Sequence, residues 1–168
     1  MASRSASRDE VIAQIQAAFA DTARPAMAEF AHCAQCELWL ERFLPSCPER
    51  WDRISSENIE YEYAALTACT PAAWRFLLPA YITWHLRHHA DSSSNTVDHL
   101  IYQLTRSDRT DPHILAGYES LSPAQTHAVA AFLSFVAGET DDEFLACDAA
   151  EALSSYWQAR VRWQRIPC

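Results

Sequence analysis

Residues 122–138, SPAQTHAVAAFLSFVAG, decide the fold of this chain. The opening Ser-Pro-Ala-Gln combines a capping box with a proline at the first helical position, and both features are typical of a helix start. The apolar side chains that follow form two rows: Ala128, Phe132 and Phe135, and Val129, Leu133 and Val136. Two rows cover so much of the helix circumference that we expect a central, buried helix, which should end at Gly138.

Six further helices are predicted from similar signals in the rest of the chain. A capping box of Ser7 and Glu10 opens the first, which should end before Pro25, and one of Thr140 and Glu143 opens the last. The remaining four are expected at 32–44, 70–89, 97–104 and 111–117. Within 70–89 a kink is expected at Pro79, because proline removes a backbone hydrogen bond.

The composition agrees with an all-α fold. Of the 168 residues, 49% are hydrophobic and 21% are charged, which is the balance of a folded domain. Only two residues are glycine, whereas strand-and-turn architectures need glycine in their tight turns. We therefore expect one compact all-α domain over residues 1–168, an irregular bundle of about six or seven helices with residues 1–7 as a flexible tail.

The net charge and the distribution of apolar residues indicate the kind of partner and the cellular compartment to expect. The formal net charge is −9, which disfavours nucleic acid and anionic membrane surfaces and favours a basic protein partner. No apolar run approaches the roughly 20 residues of a membrane span. The N-terminus lacks the apolar core of a signal peptide, so we expect a cytoplasmic protein whose six cysteines stay reduced.

Residues 32–37, HCAQCE, carry the densest chemistry in the sequence. On a helix, His32, Cys33 and Cys36 would share one face and could converge on a metal ion. Thiolate and imidazole are zinc ligands, but a structural zinc site needs four of them. His85 and His89, four residues apart, are the weaker candidates to complete the site across a helix interface. No other cofactor is expected.

We expect the same cluster to have a structural role first and a metal-binding role second. Cysteine is often a small buried hydrophobe, and His32 can hydrogen-bond a carbonyl group. Leu40 and Phe43 continue the face of the two cysteines, which favours packing between helices. A thioredoxin-like redox role is the least favoured of the alternatives, because that motif is typical of a βαβ context and no strand is predicted.

Residues 57–63 form a second candidate site. Glu57, Glu60 and Glu62 alternate with Tyr61 and Tyr63 in the least periodic part of the chain. Tyrosine supplies contact area at low entropic cost, and carboxylates attract a basic partner. These five residues are the candidate partner-binding face, and an ordinary solvated loop is the alternative.

An ordered set of motifs resembles a small bacterial family of unknown function. The motifs are HCxxCE at 32–37, TPxxW followed by LPAY within 70–81, and LSPAQ followed by AVxxFL within 121–133. The resemblance covers about residues 10–137 and implies no activity and no catalytic residue. Small acidic helical proteins of this kind are similar in general character to immunity proteins that neutralise toxins. The similarity lies in the class of protein and not in shared motifs.

The resulting expectation is a non-catalytic binding protein. The chain has no P-loop, no GxGxxG and no GxSxG, and HExxH fails because residue 86 is leucine. The leading hypothesis is an immunity-type or adaptor protein that neutralises a basic toxin or effector through the face at 57–63. The alternatives are a zinc protein or metalloenzyme built around HCxxC, and a self-associating helical dimer.

Overall fold

The computed structural model describes residues 6–105 and 111–163, which form an all-α fold around one core. Among these residues, the only β pairing is an isolated bridge between Ala31 and Cys69. The α-helices are α1 Arg8–Ala18, α2 Ala34–Leu40, α3 Ser56–Tyr61, α4 Ala65–Ala68, α5 Pro71–His88, α6 Thr96–Leu104, α7 Pro112–Glu119, α8 Pro123–Glu139, α9 Glu143–Ala152 and α10 Gln158–Trp163.

The all-α prediction is confirmed. Six of the helices described have eight or more residues, and the other four are shorter. Short 3₁₀ turns at Met27–Glu29, Leu44–Ser46 and Trp51–Arg53 connect the early helices. Of the predicted N-terminal tail, residues 1–5 lie outside the described residues, whereas Ser7 is the N-cap of α1.

Two long helices organise the core. Helix α8 is buried along two faces, as its apolar rows predict, and it packs against α1 and α9. Helix α5 is buried along most of its length and packs against α1, α6 and α7, and it continues through Pro79. None of the helices in the part of the chain described here combines the length and apolarity needed to cross a bilayer.

The predicted helix starts are largely confirmed, because their signals are local. Ser7 and Glu10 form a reciprocal capping box at α1, and Ser122 and Gln125 form another at α8. Thr70 Oγ1 accepts a hydrogen bond from the backbone of α5. The last predicted start is wrong: the cap of α9 is Asp142, not Thr140, because the Asp142 carboxylate accepts from two backbone N–H groups.

The predicted helix ends are less accurate, because distant residues decide them. Helix α1 does end before Pro25, as predicted, but already at Ala18; the next carbonyl, of Phe19, accepts a hydrogen bond from the Trp51 indole at 2.9 Å. Gly117 lies inside α7 instead of ending it, since its missing side chain makes room for the Trp74 ring. Helix α8 passes Gly138 and ends one residue later.

The C-terminal helix contains a wide turn. Residues Leu153–Trp157 form a π-helical segment between α9 and α10. Both Tyr156 and Trp157 are buried there, and the Trp157 indole donates to the carbonyl of Leu104 at 2.8 Å. The extra residue in the turn thus allows two consecutive aromatic side chains to contribute to the core.

Candidate metal centre

The cluster at 32–37 lies where a loop enters a helix. Cys33 is the N-cap of α2 and has an extended backbone, with φ −156° and ψ 163°. The prediction that His32 and Cys33 share a helical face with Cys36 is therefore wrong. The preceding chain is held by the segment before α5, because Thr70 N–H donates to the Phe30 carbonyl at 2.7 Å.

The loop nevertheless brings the three candidate ligands together. The Sγ atoms of Cys33 and Cys36 are 2.7 Å apart, and His32 Nε2 lies 3.3 Å from Cys36 Sγ. The three donor atoms all lie within 4.8 Å of one another. Cys36 is buried, His32 is half-buried and Cys33 is exposed, so the cluster opens to solvent on the Cys33 side.

The two thiols differ in acidity. Hydrogen bonds from the Cys36 side chain and backbone N–H lower the pKa of Cys33. Burial, together with the hydrogen bond and charge of Cys33, raises the pKa of Cys36 to about 11. The first proton to leave the pair is therefore the one on the exposed sulfur, and the thiolate is the form that binds metals and attacks disulfides.

Residues from a distant helix complete the surroundings. The His113 ring, at the start of α7, stacks on the His32 ring with centroids 4.2 Å apart and an interplanar angle of 13°. The charge of Asp111 is a further, smaller contribution to the raised pKa of Cys36. No sequence pattern linked His113 or Asp111 to the cluster, because only tertiary packing brings α7 there.

The weaker candidates, His85 and His89, are not part of the ligand group around Cys36. His85 is fully buried, with its ring edge-on to Phe132 at 5.2 Å and stacked on the His89 ring at 5.1 Å. Burial lowers the pKa of His85 to about 3. This pair lies in the last turns of α5 and contributes to packing with α8.

The partner-binding candidates lie on and just after α3. Ile59 is buried and anchors the helix, while Glu57 and Glu60 are exposed on it. Tyr61 and Tyr63 are 57% and 40% exposed. We call the five predicted residues, Glu57, Glu60, Tyr61, Glu62 and Tyr63, the acidic tyrosine face.

This surface extends further than the sequence indicated. The Tyr63 ring meets His99 edge-on at 5.4 Å, and His99 lies 6.2 Å from the ring of Tyr102, which is 73% exposed. Helix α6 thus adds an exposed aromatic to the face. The Arg42 guanidinium lies 5.3 Å from the centre of the Tyr61 ring and also hydrogen-bonds its hydroxyl group.

Within the face, Glu62 differs from the other carboxylates. It is half-buried, and burial raises its pKa. Its backbone carbonyl accepts a 2.6 Å hydrogen bond from the buried Tyr81 hydroxyl. This hydrogen bond links the acidic tyrosine face to α5 at Glu62, and the exposed residues of the face lie on either side of Glu62.

Fold and cluster together define a small all-α protein with a solvent-facing His-Cys-Cys group. The chain belongs to a family of unknown function (DUF6714), whose model matches residues 7–161. This agrees with the resemblance of its motifs to an uncharacterised family. No curated protein and no solved structure matches the chain.

Proposed function

We propose that this protein binds a transition metal ion, zinc above all, through His32, Cys33 and Cys36. The observation that carries the proposal is the convergence of three donor atoms within 4.8 Å. Two thiolates and an imidazole suit Zn²⁺ and not Mg²⁺ or Ca²⁺, which prefer oxygen ligands. The convergence ranks metal binding above the partner-binding hypothesis that charge and composition favoured.

The donor spacing is close to that of a tetrahedral zinc site. Zn–S bonds of about 2.3 Å and Zn–N bonds of about 2.0–2.1 Å place neighbouring donors roughly 3.5–3.8 Å apart. The separation of 3.3 Å between His32 Nε2 and Cys36 Sγ is nearly right. The two sulfur atoms, at 2.7 Å, must move apart by about 1 Å, and the exposed Cys33 side chain has room to do so.

Three protein ligands leave one position open in a four-coordinate site. Such an open position is typical of zinc sites that hold a water molecule or a substrate. The His113 ring stacks on the His32 ligand and the charge of Asp111 acts on Cys36, so both side chains are candidates for the surroundings that orient the ligands of the ion. Hydrogen bonds with Cys36 lower the pKa of Cys33, which reduces the cost of removing its proton when a metal ion binds.

Metal analysis of the full chain, purified without chelator, tests the proposal. We expect about one equivalent of zinc per chain, and a cobalt-loaded sample should show the charge-transfer absorption of a cobalt–thiolate bond. Cys33→Ser and Cys36→Ser should each abolish that absorption. Cys147→Ser, which removes an exposed thiol outside the cluster, is the matched control and should leave it unchanged. Metal bound equally well by all three variants would refute the site.

As a second candidate we propose that the acidic tyrosine face binds a basic protein, as an immunity-type or adaptor protein would. The exposure of Tyr61 and Tyr63 supports it, because a guanidinium group of a basic partner can stack on such a ring, as the chain's own Arg42 does on Tyr61. The net charge of −9 would speed encounter with such a partner. A toxin or effector is the kind of partner expected.

Co-purification with the product of the adjacent gene, at low and high salt, tests this second candidate. Tyr61→Ala and Glu60→Arg should weaken the complex, and high salt should weaken it too, because the attraction is electrostatic. Phe144→Ala is the control, since Phe144 is exposed but lies on α9 and not on this face. A complex that is equally tight in every variant, or a chain that only pairs with itself in sizing chromatography, would contradict the proposal.

A further inference from the structure

The asymmetry of the two cysteines has chemical consequences that metal binding does not use. Cys33 is exposed and Cys36 is only 5% exposed, although their sulfur atoms are 2.7 Å apart. An oxidant in solution can therefore reach one sulfur and not the other. The separation is also within about 1 Å of a disulfide bond length of about 2.05 Å, so the two sulfurs can bond without a large backbone movement.

We propose that Cys33 and Cys36 form a dithiol that reduces accessible disulfides, with Cys33 as the attacking sulfur and Cys36 as the resolving sulfur. This activity goes beyond the proposed metal binding, because it needs the metal-free pair. It uses the same three side chains, however, so zinc and disulfide substrates would compete for them. The substrate class is any exposed disulfide, R–S–S–R′, in a small molecule or a protein.

The first step is attack by the Cys33 thiolate on one sulfur of the substrate. The R–S–S–R′ bond breaks, a Cys33–S–S–R bond forms, and R′S⁻ leaves and takes up the proton that Cys33 had lost. The exposed position of Cys33 permits the in-line approach of the substrate. Its sulfur is held in place by the Cys36 backbone N–H, which donates to it at 3.2 Å.

The second step is attack by Cys36 on the Cys33 sulfur. In the tautomer that carries its hydrogen on Nδ1, His32 Nε2 lies 3.3 Å from Cys36 Sγ and accepts the Cys36 proton. Once protonated, the same nitrogen can donate to the Thr67 carbonyl oxygen, 3.4 Å away. The mixed disulfide breaks, the Cys33–Cys36 disulfide forms, and RS⁻ leaves and receives that proton. In sum, one substrate disulfide gains two electrons and becomes two thiols, and the protein dithiol loses two electrons. A dithiol reductant would restore the protein for a further cycle.

The other cysteines of the described residues do not form such a pair. Cys47 and Cys69 are buried, and burial raises the pKa of each thiol. Cys147 is exposed but has no second sulfur within hydrogen-bonding reach in the described residues. Among the described residues, only Cys33 and Cys36 combine an exposed attacking sulfur with a buried resolving sulfur.

The test is a single exchange between the reduced, metal-free full chain and oxidised glutathione. Trypsin cleaves after arginine but not before proline, so residues 9–42 form one peptide that contains Cys33 and Cys36 and no other cysteine. We expect this peptide to lose two hydrogen atoms and to retain no glutathione. In Cys36→Ser it should instead retain one glutathione on Cys33, and in Cys33→Ser it should remain unmodified.

The outcomes separate this proposal from the metal site. A stable glutathione adduct on Cys33 in the unsubstituted chain, or reaction of Cys36 in Cys33→Ser, would overturn the dithiol proposal even if zinc binds. Disulfide formation in a chain that binds no zinc would support it and overturn only the metal site. Replacing glutathione disulfide by insulin then shows whether protein disulfides are reduced as well. In a separate variant, His32→Ala should slow the release of glutathione from Cys33, because the proton acceptor of Cys36 is lost.

Discussion

Replacing Gly117 by alanine should destabilise the protein, whereas replacing Gly138 by alanine should stabilise it. Both glycines lie in helices, and among the described residues neither has a positive φ. Alanine is favoured over glycine in a helix interior by about 1 kcal/mol, so helix propensity alone would stabilise both variants. Each glycine lies in the last turn of its helix, and the main difference between the two positions is what a new side chain would meet.

At Gly117 a Cβ atom would lie 2.9 Å from Cδ2 and 3.0 Å from Cε3 of Trp74. The Trp74 ring is rigid and 1% exposed, so it cannot turn away freely. Overpacking a core in this way costs about 1–3 kcal/mol, which exceeds the gain in propensity and leaves a net loss of about 1 kcal/mol. At Gly138 nothing lies within 4 Å of the new atom, and a gain of about 0.5–1 kcal/mol remains.

Urea and thermal unfolding, followed by circular dichroism, measure the difference. The two variants should differ by about 2 kcal/mol in the free energy of unfolding, with midpoints roughly 4–8 °C apart for a chain of this size. A Gly117→Ala protein at least as stable as the original would refute the packing of Trp74 against α7. A destabilised Gly138→Ala protein would refute the open surroundings of that position.

Three other changes should also follow from single contacts. The pKa of His85 is about 6.5 in the unfolded chain and about 3 in the folded one, so the contribution of this residue to the free energy of unfolding is fully present above pH 6.5 and is lost as the pH falls. Urea unfolding at pH 5 should therefore give a free energy of unfolding lower by roughly 2 kcal/mol than at neutral pH, and His85→Phe should remove this difference. Tyr81→Phe removes the hydrogen bond to the carbonyl of Glu62 and should cost about 1–2 kcal/mol in the same assay. Ser122→Ala removes the capping box with Gln125 and should lower the unfolding free energy by about 1 kcal/mol, whereas an unchanged midpoint would contradict the cap.

The parts of the fold that could be predicted are those whose chemistry is local. A capping box spans four residues, so Ser7 with Glu10 and Ser122 with Gln125 predict their helices without any tertiary information. The buried position of α8 likewise follows from its own apolar rows. In contrast, the interior position of Gly117 depends on Trp74, which is far away in the sequence, and glycine alone suggested a helix end.

The candidate site was predictable in its residues but not in its geometry. The types and spacing of His32, Cys33 and Cys36 indicate their chemistry, yet the sequence could not show that a hydrogen bond to Thr70 holds the preceding loop outside the helix. The stacking of His113 on His32 has no sequence signal at all, because the two belong to segments that meet only after folding.

The closeness of the three candidate ligands along the chain has a consequence for biosynthesis. His32, Cys33 and Cys36 span five consecutive positions, so bringing them together closes a very short loop at little entropic cost. A nascent chain could therefore capture zinc before α5 or α7 has left the ribosome. Because an unfolded chain would retain the ion as well, zinc should raise the melting temperature by less than its affinity suggests. If zinc binds as proposed, the later helices would then fold around the bound ion, and His113 would be the last of the residues around the cluster to be synthesised.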